Sequence, residues 1–138
     1  MVVCQVEASE TMSTVKVDTI EPRTASSTIT IGAAANNLTT LTSATSITMD
    51  LNNNNNFKVT LGHNATFNNP SNPTAGQTGS IFITQDGTGS RTASWGTSWD
   101  FIGGTAPTLT TTAAATDRID YIVLDSTNIQ AVATLNYS

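Results

Sequence analysis

Apolar and polar residues alternate in short runs along most of this chain, which is the period-two pattern of β-strands. In the first part it is carried by Val15, Val17 and Thr19 and then by Thr28-Ile29-Thr30-Ile31, on either side of Glu21-Pro22-Arg23. Residues 33–46 interrupt it. Leu38 and Leu41 there stand at helical spacing, but four Thr and two Asn disfavour a stable helix, and the stretch reads as a linker.

From Ile47 onward the pattern resumes. Ile47–Leu51 and Phe57–Leu61 read as strands around the run Asn52–Asn56, a turn by composition, because Asn tolerates left-handed backbone and bonds its own main chain. Ser80–Thr84 and Arg91–Trp95 read as a second hairpin around Asp86-Gly-Thr-Gly-Ser90. Trp99–Ile102 is a short strand before the Gly103-Gly104 loop. Arg118–Leu124 and Asn128–Tyr137 form a third hairpin through Asp125-Ser126-Thr127.

The expectation is an all-β chain: an extended N-terminal arm over residues 1–32, a linker over 33–46, and a small jelly-roll-like β-sandwich over 47–138. No internal repeat strong enough for a solenoid stands out. The expected core is Phe57, Leu61, Ile81, Ile83, Trp95, Phe101, Ile119, Tyr121, Val123, Ile129 and Leu135. It is a modest one, and small β-domains often gain further stability by hiding strand edges against other chains.

Composition narrows the class. The 138 residues include 27 Thr, 13 Ser and 13 Asn, while charged residues make up only 11%. Disorder usually pairs low hydrophobicity with high charge, and this chain lacks the charge. The net charge of −5, with Lys16, Arg23, Lys58, Arg91 and Arg118 scattered, argues against nucleic acid as a partner. No apolar run reaches the length of a membrane span, and the first twelve residues lack the basic start and apolar stretch of a secretory signal.

Catalytic chemistry finds little material. His63 is the only histidine and Cys4 the only cysteine, so neither a transition-metal cluster nor an internal disulfide is expected. Asp86, Asp100, Asp117 and Asp120 stand near turns and strand ends, where capping and solvation explain them. No catalytic residue, metal site or cofactor is assigned. Trp95 and Trp99 could present a sugar-stacking platform, because an indole face suits the apolar side of a pyranose; the competing reading is core packing.

One resemblance joins these pieces. It is carried by Phe57-Lys-Val-Thr-Leu61, by the stretch from Asn69-Pro-Ser-Asn-Pro through Ser80-Ile-Phe-Ile-Thr-Gln-Asp-Gly-Thr-Gly-Ser-Arg-Thr92, and by Ser94-Trp-Gly96. It continues in Trp99-Asp-Phe101, in Gly103-Gly-Thr-Ala-Pro-Thr-Leu-Thr110 and in Asp117-Arg-Ile-Asp-Tyr-Ile-Val123. Together they resemble a C-terminal module of tail-fibre and fibre-like virion proteins of tailed, cyanophage-like bacteriophages. The resemblance implies a non-enzymatic structural protein located in the virion: a short tail fibre, a tail-associated protein or a capsid decoration. It further implies a homotrimer whose arm anchors to other virion proteins, with Val15, Val17, Ile20, Ile29 and Ile31 as the anchoring side chains. The alternative is a receptor-binding module that touches host glycans through Trp95 and Trp99.

Overall fold

A computed structural model describes residues 38–137, which lie within one compact unit. The arm, with Val15, Val17, Ile20, Ile29 and Ile31, lies outside the described residues. The described domain is all-β. Its strands are β1 (Thr39–Thr40), β2 (Ser46–Ile47), β3 (Asn56–Leu61), β4 (Ala65–Phe67), β5 (Thr78–Gln85), β6 (Ala93–Trp95), β7 (Trp99–Phe101), β8 (Thr116–Val123) and β9 (Ile129–Tyr137). One short 3₁₀ turn, Ile102–Gly104, follows β7.

Two sheets share one core. The larger has the order β1-β3-β5-β8-β9-β7 and the smaller the order β2-β4-β6. Alternation decides which side chains go inside: Phe57, Val59 and Leu61 of β3, Ile81 and Ile83 of β5, and Ile119, Tyr121 and Val123 of β8 all point inward. Ile47 of β2 and Ala65 and Phe67 of β4 meet them from the smaller sheet. Met49, Leu51, Leu109 and Trp99 complete this cluster from the connections and β7. Leu135, expected inside, is instead exposed near the end of β9.

The two-sheet character agrees with the sequence reading, but the chain connects its strands differently. Consecutive strands β1 and β2, β3 and β4, and β5 and β6 lie in different sheets, and each of β1 to β4 pairs parallel with the strand two places on. Thr39 registers with Phe57 and Phe57 with Ile81; Ser46 registers with Thr66 and Thr66 with Ser94. The chain therefore winds through three stacked coils, each leaving one strand in each sheet. Two of the three expected hairpins are corners of these coils. The third is a hairpin as expected: β8 and β9 pair antiparallel, with Asp125 Oδ1 accepting the backbone N–H groups of Thr127 and Asn128.

The corners explain why the expected hairpins do not form. Asn54 Oδ1 accepts the N–H groups of Asn55 and Asn56 at 2.7 and 3.1 Å, and Asp50 Oδ1 accepts that of Asn52 at 3.0 Å. These local bonds satisfy the backbone where it leaves one sheet for the other. The second half of the 33–46 segment is likewise part of the domain rather than a linker. It holds β1 and β2, and Leu41 packs against the core.

Polar side chains stitch the second and third coils. Thr66 Oγ1 meets Ser94 Oγ at 2.8 Å, Asn64 Oδ1 accepts the N–H of Thr92, and Asn69 Nδ2 donates to Thr97 Oγ1. All three span 28 residues. Between the first and second coils, Asn68 Nδ2 donates to both Ser46 Oγ and Thr48 Oγ1 at 2.8 Å. The Thr, Ser and Asn richness thus has a structural use: these residues carry hydrogen bonds from one coil to the next.

Candidate interaction surface

The residues that could carry chemistry serve as fasteners. His63 is exposed at the corner between β3 and β4, with Nδ1 3.1 Å from Ser43 Oγ, which itself accepts the N–H of Gly62. Ser43 was not singled out by sequence, because the contact bridges two coils. Asp86 Oδ2 receives both Nε and Nη2 of Arg91, and its Oδ1 receives the N–H groups of Thr88 and Gly89. The Arg91 guanidinium beside it holds the Asp86 carboxyl below the usual carboxylate range. Asp86-Gly-Thr-Gly-Ser90 is therefore a locked turn.

Asp117 departs from its reading as a solvated strand end. It is 1% exposed, with Oδ2 accepting the N–H of Thr110 and Oδ1 that of Asn136. It ties the loop ahead of β8 to the end of β9. The strand period carried the signal, since Asp117 shares the inward parity of Ile119 and Tyr121. Among the described residues no group of three His, Cys, Asp or Glu could hold a metal ion.

Trp95 and Trp99 belong to one aromatic cluster, Trp99 buried in the core and Trp95 half-buried against it. Trp95 stacks on Phe67 with ring centroids 4.8 Å apart, and meets Trp99 and Phe101 edge to face at 5.3 and 5.0 Å. Trp99 meets Tyr121 in the same manner at 5.9 Å. At 6% exposure, with its indole N–H given to the carbonyl of Asn68, Trp99 leaves no ring face for a pyranose. The geometry is that of core packing.

What the domain does present is the outer face of the six-stranded sheet. Across it, Lys58, Phe82, Arg118 and Thr134 lie in one registered row. Asn56, Ser80, Asp120 and Val132 form the next, and Thr78, Ile122, Gln130 and Asp100 the one after. Asp120 accepts from Ser80 Oγ at 2.6 Å and from Arg118 Nε at 2.9 Å, while the Arg118 guanidinium lies over the Tyr137 ring. Ile102, Ile122, Gln130 and Val132 line one shallow groove on this face. The expected core omits Phe82, Ile122 and Val132, but only the strand order brings them together on one face.

Among the described residues no helix is long and apolar enough to cross a membrane. No known protein family, curated protein or solved structure matches the chain.

Proposed function

We propose that this chain is a non-enzymatic structural protein of a bacteriophage virion, fibre-like in build. Residues 1–32 anchor it to capsid or tail proteins, and the β-domain projects from the particle as part of a homotrimer. The observation that carries this reading is the coil stack. Parallel coils whose corners are held by side-chain hydrogen bonds form a stiff element that depends little on charge and grows by adding turns. Among the described residues the first coil is paired on one side only, by β3 and β4, which leaves strand edges that a neighbouring chain can cover.

Further support comes from how the chain spends its polar groups. Asp50, Asp86, Asp117, Asp120 and Asp125 each hold a turn or a neighbouring strand, a use that favours durability over chemistry. The test is incorporation. Full-length protein is recovered with purified particles, whereas a chain lacking residues 1–32 stays folded and soluble but does not join them. Incorporation of the shortened chain would remove the anchoring role.

A further inference from the structure

We infer that the outer face of the six-stranded sheet is where copies of this chain meet, Ile102, Ile122 and Val132 forming the apolar centre of the contact. This rests on the proposed assembling role and adds the surface through which assembly occurs. The apolar residues are concentrated there. Of the seven exposed large hydrophobic residues, Ile122, Val132 and Tyr137 stand on this face, Leu124 follows at the end of β8, and Ile102, 83% exposed, borders its groove; Leu38 and Leu135 lie elsewhere. Isolated apolar residues at a surface need no explanation, but a contiguous group on one flat face marks an interface.

Charge identifies the occupant as a second copy. The chain carries −5 overall, so like copies repel through most of their surfaces. The outer face is balanced. Lys58 and Arg118, two of the three Lys and Arg residues among those described, stand on it with Asp100 and Asp120. Lys58 on β3 and Asp100 on β7 stand toward opposite sides of the sheet, so copies arranged around a three-fold axis can set Lys58 of each chain against Asp100 of the next. The pattern is complementary to itself. A basic or acidic partner would meet half of these charges with the wrong sign.

The experiment is sedimentation velocity on the full chain over a concentration series. The wild type is expected to associate. Ile102→Asp, placed where exposure makes disturbance of the core negligible, weakens association by at least about tenfold, because a carboxylate is then buried in the contact without a partner. Ile122→Asp with Val132→Asp reduces the protein to monomer while its circular dichroism stays native. Leu38→Asp, off the face, leaves association unchanged. An associating wild type that ignores Ile102→Asp and the double change would overturn this face but leave the assembling role standing. A wild type that is monomeric at every concentration would overturn both.

Discussion

The phenol of Tyr121 donates a 2.8 Å hydrogen bond to the carbonyl oxygen of Asn55, 66 residues away. The bond joins β8 to the asparagine corner that feeds β3, and so fastens the antiparallel end of the large sheet to the coil stack. Gly79 makes it possible. It sits opposite Tyr121 in the β5–β8 register, and a Cβ there would run into both the Asn55 carbonyl and Tyr121 Oη. We expect Tyr121→Phe to cost about 1–2 kcal/mol by leaving that carbonyl unpaired, and Gly79→Ala about 2–3 kcal/mol by forcing the strands apart. Urea unfolding monitored by tryptophan fluorescence checks both, and equal stability of all three proteins would contradict the fastening role.

The same tyrosine gives the domain an alkaline limit. Burial pushes its pKa from the usual 10.0 up to about 12. The folded state therefore favours the protonated phenol. Its contribution is complete below pH 10 and is lost as pH rises from 10 towards 12. Stability of the wild type should fall across that window, and Tyr121→Phe should fall less steeply. Parallel curves would contradict the assignment.

Acid should act through the corners. Hydrogen bonds hold three carboxyls below the usual 3.8: Asp50 chiefly through Asn72, Asp86 chiefly through Arg91, and Asp125 chiefly through the Thr127 N–H. Each lowered pKa stabilises the fold above the ordinary value, and that stabilisation is lost as pH drops through the folded one. Melting temperature should decline from about pH 4 downward, and Asp86→Asn with Asp125→Asn should flatten that decline. An unchanged slope in the double variant would show that these turns do not couple to folding.

Asp117 should matter more than its place at a strand start suggests. Asp117→Ala leaves the Thr110 and Asn136 N–H groups without their acceptor in a buried site. The expected loss is about 2–4 kcal/mol, with Asp117→Asn losing less because one carbonyl acceptor remains. Thermal denaturation distinguishes them, and a harmless alanine would contradict the account of this residue.

These cases mark what could be read from the sequence. Alternation gave the strands and most of the core, because a half-buried strand must place Phe57, Val59 and Leu61 on one side whatever its neighbours are. It could not give the partner. A run such as Asn52–Asn56 bends the chain equally well into a hairpin or around a coil corner, and only long-range pairing separates the two. The repeat was hidden because successive coils differ in length: Thr39 to Phe57 spans 18 residues, whereas Phe57 to Ile81 spans 24. Asp117 was legible in the same alternation, which gives it the parity of Ile119 and Tyr121, but a carboxylate near a strand start reads first as solvated. Its buried partners, Thr110 and Asn136, appear only with the long-range pairing. The candidate interaction surface became visible at that same step.

The coil pairing can be tested covalently. Thr66 and Ser94 are parallel neighbours with their hydroxyls 2.8 Å apart, so Thr66→Cys with Ser94→Cys, in a Cys4→Ser background, should close a disulfide under mild oxidation. Peptide mapping reads the link. Failure to form it in a folded protein would contradict the parallel stack.

The proposal that this chain is a fibre-like part of a virion is tested most directly by a symmetry-resolved electron cryomicroscopy reconstruction of purified particles of the bacteriophage whose genome encodes it. The account predicts density matching the β-domain at a fixed position and in multiples of three, held out from the particle on its arm. Purified particles that contain no such density and none of this protein would contradict it.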